Sequence, residues 1–254
     1  MDYSNSDIAF GIDIGGSGIK GAPVNVKTGV LLDDRYRLPT PRPATPEAVA
    51  GAIREILTRF EVPAHATVGV TFPGIIQHGV CRSAVNMDGD WIDRNLVELL
   101  REHVGIEATV LNDADAAGYA ETLYGAGQNI SGMVLTITLG TGIGSALVND
   151  GRLVPNLELG HLEIDGYDAE TRAAASIKDR EGLSYEEWAV RLQRYFEVVE
   201  FLFSPDLFIV GGGVSKDHKK FMPLIKTRAE MIPAELRNHA GIVGAGSFAV
   251  HQRG

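Results

Sequence analysis

The chain has 254 residues, 44% of them hydrophobic and 22% charged, with a formal net charge of −10 at pH 7. That is an ordinary globular composition, enough for one large or two small domains, and its acidity excludes a general nucleic-acid binder, which would be basic. One cysteine, Cys81, excludes an intramolecular disulfide and a cysteine-rich metal site. No apolar run reaches the ~18 residues needed to cross a bilayer, and the N-terminal MDYSNSD lacks a signal-peptide pattern, so a soluble cytoplasmic protein with no membrane partner is expected.

In chain order, IAFGIDI reads as a buried strand that enters a glycine-rich turn, and GIKGAPVNV as the strand that leaves it. GVLLDDRYRL gives a third strand, and TPRPATP is a proline-rich connector. Thr45-Pro46-Glu47 opens an amphipathic helix that runs through Phe60, with proline in the first turn. ATVGVTF is a strand stopped by Pro73-Gly74, and WIDRNLVELLREHVG reads as a helix with Ile92, Leu96, Leu99 and Leu100 on its apolar side. ATVLNDADAAGYAETLYGAG predicts a strand followed by a helix. GMVLTITLG enters a second glycine turn, and IGSALVNDGRLV returns from it as a hairpin. A long helix is predicted from about Tyr185 to Phe203, then the strand DLFIVGGG and a last helix over Ile242 to His251. Helices alternate with strands, but the early strands are joined by short hairpins, which predicts mixed α/β layers.

GSGIKGAPVN (Gly16 to Asn25) aligns with GTGIGSALVN (Gly140 to Asn149), each after an apolar strand. A repeat half a chain apart suggests two related domains with a cleft between them. Neither tip is a P-loop, and neither is a dinucleotide fingerprint followed by a crossover helix. A strand follows each tip, so a phosphate there would be held by backbone N–H groups and by the Ser17 and Thr141 hydroxyls; a plain tight hairpin is the alternative. VGGGVSK (Val210 to Lys216) is a third such turn. An aspartate, Asp13, sits beside the first turn, where a bare carboxylate would repel phosphate.

Together DIGGSGIKGA, LNDADAAGYAE, TLGTGIGSAL, ELGH and IVGGGVSK resemble the ROK family of sugar kinases, in order and spacing over nearly the whole chain, and the details look most like its polyphosphate-using glucokinases. The resemblance implies an actin-like, ribonuclease H-like two-domain α/β fold with a central cleft. The expected divisions are 1–113 plus 241–254 and 114–240. It implies transfer of a phosphoryl group from polyphosphate or ATP to the 6-position of glucose, with mannose as a further acceptor, and a homodimer as the family's usual state. Asp13 would act on the transferring phosphate through Mg²⁺ and water, since a cation makes a carboxylate beside phosphate favourable. Gly15, Gly16, Ser17, Gly18, Gly140, Thr141, Gly142, Gly211, Gly212, Gly213 and Lys216 would line the phosphates. Lys20 is either a second phosphate partner or a solvated hairpin residue.

On the acceptor side, Asp113 would be the catalytic base and Asn112 a sugar ligand, although either could simply cap the helix that starts there. Asp115, one residue past the matching position, reads as a first-turn helix charge. Glu158 and His161, three apart, would face one ligand. Asn86 in VNMDGDW resembles the family's asparagine-to-tryptophan sugar loop, and Gly74 would let that loop approach the hexose. Many family members follow E-x-G-H with a histidine–cysteine zinc cluster; here LEIDGYDAETRAAAS holds no cysteine, so structural zinc is not expected. Glu170 is the candidate for the family's last sugar-binding glutamate, or a helix-start charge. SKDHKKFMPLIKTR carries Lys216, Lys219, Lys220, Lys226 and Arg228, read either as a solvated face or as a track for a polyphosphate chain. A sugar-responsive repressor is the competing class; the first glycine motif lies within fifteen residues of the start, leaving no room ahead of it for a helix-turn-helix.

Overall fold

Two sheets of the same strand order are built from the two halves of the chain. The computed structural model describes residues 2–84, 87–88 and 90–252. Its contacts divide into two units, Met1–Ala120 with Asn238–Gly254, and Glu121–Arg237.

In the first unit β1 (Ile8–Gly15) and β2 (Gly18–Asn25) form an antiparallel hairpin around the first glycine turn. The expected third strand is two short pieces, β3 (Val30–Leu31) and β4 (Tyr36–Leu38), both paired to β2. Helix α1 (Pro46–Arg59) starts where the sequence predicts, with Thr45 Oγ1 accepting from the Ala48 amide at 3.3 Å. Its Val49, Ile53 and Ile56 are buried against the sheet. β5 (Val68–Phe72) lies parallel to β1, and a small hairpin of β6 (Ile76–Gln77) and β7 (Val80–Cys81) follows. Helix α2 (Leu96–Val104) is shorter than expected: Asn95 Oδ1 caps it through the Val97 and Glu98 amides, Asp93 has φ +61°, and Ile92 is exposed. The side-chain cap outcompetes the apolar periodicity there. β8 (Ala108–Asn112) pairs parallel with β5 and runs straight into α3 (Asp113–Tyr124). The sheet order is β3-β2-β1-β5-β8.

The second unit repeats this with β9 (Met133–Leu139), β10 (Ile143–Asn149) and β11 (Arg152–Val154), all antiparallel. A hairpin of β12 (Glu163–Ile164) and β13 (Tyr167–Asp168) leads to α4 (Glu170–Ala173) and α5 (Ala175–Glu181). Helix α6 (Tyr185–Phe203) matches its prediction and opens with a capping box between Ser184 and Glu187. β14 (Leu207–Gly211), α7 (His218–Phe221) and β15 (Glu230–Pro233) complete the unit. The sheet order β11-β10-β9-β14-β15, with β9, β14 and β15 parallel, has the pairing pattern of the first. The turns differ by one residue: 16–17 separate the first pair of strands, 140–142 the second.

Helix α8 (Ala240–His251) returns the chain to the first unit. It packs at backbone distance. A Cβ added at Gly11 of β1 would lie 1.9 Å from the Ile242 carbonyl oxygen, and one at Gly69 of β5 1.9 Å from that of Ala245. Gly244 of the helix meets the Ala116 carbonyl of α3 in the same way, at 1.8 Å.

Gly69→Ala is therefore expected to destabilise the protein by about 2–3 kcal/mol, since the clash is with backbone that cannot rotate away. Gly51→Ala in α1, with nothing within 4 Å of the new Cβ, should instead stabilise by roughly 0.5–1 kcal/mol. Urea unfolding of the two variants checks both signs.

Candidate active site

Asp13 stands in the middle strand of three, and its cross-strand neighbours define its surroundings. Lys20 is opposite on β2 and Thr71 is alongside on β5, and side chains paired this way share a face of the sheet. Lys20 Nζ is 2.9 Å from Asp13 Oδ2, and Thr71 Oγ1 donates to Asp13 Oδ1 at 3.1 Å. The Ile14 amide in turn donates to Thr71 Oγ1 at 3.1 Å. A Cβ at Gly241, in the first turn of α8, would sit 2.9 Å from the Asp13 carboxyl carbon. The carboxylate thus lies at the positive end of a helix, with a lysine beside it. Lys20, 23% exposed at its side chain, is an ion-pair partner of Asp13 and not a solvated hairpin residue. Thr71 was missed in the sequence; its signal was a lone hydroxyl in the fully buried strand VGVTF.

The first glycine turn has its carbonyls drawn back by side chains. Thr40 Oγ1 donates to the Gly15 oxygen at 2.5 Å, Arg42 to Gly16 at 2.8 Å and Arg37 to Ser17 at 2.6 Å. A peptide's N–H points opposite to its C=O, so these bonds leave the amides of Gly16 and Ser17 on the side away from Thr40 and Arg42, while Gly18 pairs with Gly15 to close the hairpin. Gly18 leaves room for Arg37, whose Nε would lie 2.5 Å from a Cβ there.

Asn112 ends β8, and Asp113 opens α3. Asn112 Oδ1 accepts from the Ala114 amide at 2.8 Å and the Asp115 amide at 3.0 Å, so its oxygen caps the helix. Its Nδ2 donates to the Gly74 carbonyl at 3.1 Å. Asp113, partly buried, has Oδ1 2.9 Å from the Ala114 amide, which orients its carboxylate at the helix's positive end. Asp115 is in the first turn as expected, and is buried. At Gly74 the close approach is to the Ser83 carbonyl, 2.0 Å from a would-be Cβ. Asn86 lies outside the described residues.

In the second unit Glu158 precedes, and His161 ends, a 3-10 turn over Leu159–His161. Ser145 of β10 holds this segment from both sides, donating to the Leu157 carbonyl at 2.6 Å and accepting from the Leu159 amide at 3.1 Å. Gly160 is packed on β10, 2.3 Å from the Ile143 oxygen at its would-be Cβ. His161 Nδ1 is 2.8 Å from Asp168 Oδ2, and Glu170 Oε2 accepts from the Ile143 amide at 3.1 Å. Glu170 is the first residue of α4, and its carboxylate joins the His161 cluster. Burial raises the Glu158 pKa, with His161 opposing and Glu170 adding to the rise. The hydrogen bond to Asp168 raises that of His161, against burial, with Glu170, Asp168 and Glu158 adding their charges. Among the described residues, His161, Asp168 and Glu170 are the one group of three with metal-ligand atoms within 4.8 Å of one another. The 2.8 Å contact is hydrogen-bond length, and Glu170 is held by a backbone amide, so the grouping stands without a cation.

The second glycine turn also has its carbonyls engaged. The Ser176 amide donates to Gly140 at 3.0 Å, Ser176 Oγ to Thr141 at 2.6 Å, and the Gly140 amide to Gly142 at 3.0 Å. Beside it is a cavity of about 520 Å³ bounded by Gly140, Thr141, Lys178, Tyr185, Gly213 and Lys216 among others. Gly212, at φ +84°, passes 2.2 Å at its would-be Cβ from the Leu139 oxygen, which brings the third turn against the second. Lys178 was not singled out from sequence; its ammonium lies 4.5 Å from the Tyr185 ring centre, with that of Lys220 at 5.2 Å from the same ring. The predicted basic island is divided. Lys216 lines the cavity, Lys220 pairs with Asp217 at 2.8 Å, and Arg228 is 3.7 Å from Glu200.

Two α/β units, each with a hairpin turn whose carbonyls are tied back, define a phosphate-handling fold of the actin-like, ribonuclease H-like kind. The ROK family model matches residues 9–176, and the chain belongs to that family. It is 49% identical over 242 residues to a polyphosphate glucokinase of Mycobacterium tuberculosis, covering 95% of this chain and 91% of that one. It is 50% identical over 237 residues to that of Mycobacterium leprae, covering 93% and 72%. The solved inorganic polyphosphate/ATP-glucomannokinase of Arthrobacter sp. strain KM superposes with a TM-score of 0.91 at 55% identity, over 97% of this chain and 99% of that one. A ROK family glucokinase from Streptomyces griseus, solved with glucose and AMPPNP, gives 0.80 at 25% identity, over 97% and 100%. Among the described residues no helix is long and apolar enough to cross a membrane.

Thr71→Val removes the donor to Asp13 and the acceptor of the Ile14 amide, and is expected to cost about 1–3 kcal/mol. Thr71→Ser keeps the hydroxyl and should lose less than half of that. Denaturant midpoints of the two variants decide whether the hydroxyl, and not the methyl, matters.

Proposed function

We propose that the protein phosphorylates glucose at its 6-hydroxyl, with inorganic polyphosphate or ATP as donor. The observation that carries this reading is the Asp113 carboxylate at the start of α3, beside the Asn112 cap, in a chain half identical to polyphosphate glucokinases along nearly its whole length. In the reaction the sugar oxygen forms a bond to the terminal phosphorus. The bridging P–O bond of the donor breaks, and the hydroxyl proton passes to Asp113. The transition state is loose, so the base gives modest help, and positioning of the phosphate supplies most of the catalysis.

We assign hydroxyl recognition to Asn112, Glu158, His161 and Glu170, with Asn86 and Gly74 in the same role. The raised pKa of Glu158 and the imidazole of His161 suit a pair that both accepts and donates hydrogen bonds. The amides of Gly16 and Ser17, with Gly15 and Gly18 closing the turn that carries them, are the groups we assign to the transferred phosphate. The second and third turns, with Thr141, Lys178 and Lys216, are assigned to the rest of the donor. Lysines bind phosphate as point charges and accept either donor.

The surroundings of Asp13 fit a hydrated magnesium ion. Each carboxylate oxygen already takes a hydrogen bond or an ion pair, from Thr71 and Lys20, and a cation held through its water shell leaves both in place. When bound, the ion neutralises charge on the phosphates. Asp13 would hold the ion through its water, and Lys20, 2.9 Å from Oδ2, fixes the direction of the carboxylate.

Asp113→Asn should fold and bind glucose but lose roughly 10²–10⁴-fold in turnover, measured as glucose 6-phosphate formed with each donor. Near-normal turnover would remove Asp113 from the role of base. Chelation of divalent metal should abolish turnover with both donors while leaving the circular dichroism unchanged.

For the donor, the double change Lys178→Ala, Lys216→Ala should raise the polyphosphate KM while the glucose KM moves less than about twofold. Salt should weaken polyphosphate use more in the unaltered protein than in the variant, because screening acts over about 10 Å at 0.1 M. Equal salt dependence in both would leave these lysines out of donor binding.

A further inference from the structure

His161 and Asp168 are each fixed by backbone before they meet. Gly160, which has no room for a side chain, and the Ser145 clamp set the turn that carries His161. Asp168 lies opposite Glu163 in the β12–β13 hairpin. Its Oδ1 accepts from the Glu170 amide at 3.2 Å, and its carbonyl accepts from Thr171 Oγ1 at 2.7 Å. Its remaining oxygen, Oδ2, is the one 2.8 Å from His161 Nδ1. An ionised carboxylate only accepts, so the proton of this bond belongs to Nδ1.

We propose that Asp168 is a positioning residue for hexose binding: it holds the His161 proton on Nδ1 and thereby presents Nε2 as the ring's only exchangeable atom to a sugar hydroxyl. This rests on the reading of His161 as a glucose ligand. Which ring nitrogen carries the proton is decided by the partner of the other, and Asp168 is that partner here. Without it a neutral imidazole in water favours the proton on Nε2, where it would donate to the hydroxyl and leave no acceptor. Because Asp168 stays bonded to Nδ1 in both charge states, protonation changes Nε2 alone, from acceptor to donor.

The ionisable groups that face the ring are Glu158 before the turn, Asp168 on β13 and Glu170 on α4, and all are acidic. They favour the imidazolium, so His161 keeps its proton to a higher pH than an ordinary histidine. Neutralising Asp168 removes the first of these causes, and the titration of His161 should move to lower pH.

The test is nitrogen NMR of the full chain carrying ¹⁵N-histidine, beside steady-state kinetics with varied glucose. The unaltered protein should show the Nδ1–H tautomer for neutral His161. Asp168→Ala should convert it to Nε2–H and raise the glucose KM about tenfold, the loss of roughly one hydrogen bond, while kcat changes less than about twofold. Asp168→Asn leaves one acceptor oxygen for two donors, the Glu170 amide and His161 Nδ1–H, so it should keep only part of the Nδ1–H tautomer and of the affinity, with the His161 titration displaced to lower pH. An Nε2–H tautomer in the unaltered protein, or no change of tautomer in Asp168→Ala, overturns the proposal. If Asp168→Ala does not fold by circular dichroism, the asparagine variant decides, and an unmoved titration overturns it. His161→Gln separates the underlying reading: an unchanged glucose KM there shows that His161 is not a ligand and removes the hexose role of Asp168, whatever the tautomer.

Discussion

The constraint on which the first unit depends is the backbone contact between α8 and the sheet. Strands β1 and β5 each give up a side chain, at Gly11 and Gly69, so that the helix carbonyls of Ile242 and Ala245 can lie against them. The approach sacrifices the side-chain packing those positions would supply, and glycine raises the conformational entropy lost on folding. What it gains is position. A helix this close brings its first turn, at Gly241, against the Asp13 carboxylate. The amide end of α8 and the ammonium of Lys20 then face the same acid, which fixes the direction of its carboxylate beside the glycine turn. The repulsion anticipated for a bare carboxylate there is met within the protein before any cation binds.

The two glycine turns solve one problem with different parts. Each has its carbonyls engaged by neighbouring groups. The first uses the side chains of Arg37, Thr40 and Arg42, which come from β4 and the proline-rich connector. The second uses Ser176, through both its amide and its hydroxyl, and a bond inside the turn itself. The duplicated sheets have therefore kept their pairing order and diverged in what surrounds the tips. The divergence extends to charge. Asp13 and Lys20 face each other across the first hairpin, whereas Thr138 and Gly144 occupy the corresponding register of the second. The acid belongs to one copy alone.

Much of this was legible in the sequence because it depends on local rules. Strand–glycine–strand patterns marked both hairpins, the Thr45-Pro46 start marked α1, and the Ser184 box lies at the predicted start of α6. The family resemblance rests on short motifs whose spacing survives, and these coincide with strand ends. Failures came where a competing local cap, or a side chain far along the chain, decides the outcome. Ile92 has helical spacing from Leu96, but Asn95 caps the helix after it. Asn112 reads in sequence as cap or ligand alike; its oxygen caps the helix while its nitrogen reaches Gly74. Thr71, Ser145, Asp168 and Lys178 act through partners 7 to 58 residues away, or through an aromatic face, and no spacing rule points to them. The one-residue difference between the hairpin turns was hidden by the better alignment of their tips.

Charge explains why arginine and lysine are divided as they are. The chain as a whole repels polyanions, so attraction to a phosphate donor must be local and felt within a Debye length. Where geometry must stay constant, at the first turn, the planar guanidinium groups of Arg37 and Arg42 grip carbonyl oxygens. Beside the cavity the cations are lysines. Lys178 rests on the Tyr185 ring and beside Asp179, and Lys220 on the same ring and Asp217. Exposed pairs of this kind are worth only about 0–1 kcal/mol. In the donor-binding role proposed above, a phosphate would replace the carboxylate at little cost. Lysine suits that exchange because an ammonium imposes no fixed fork on its partner, while an arginine's planar fork would hold its partner to one geometry.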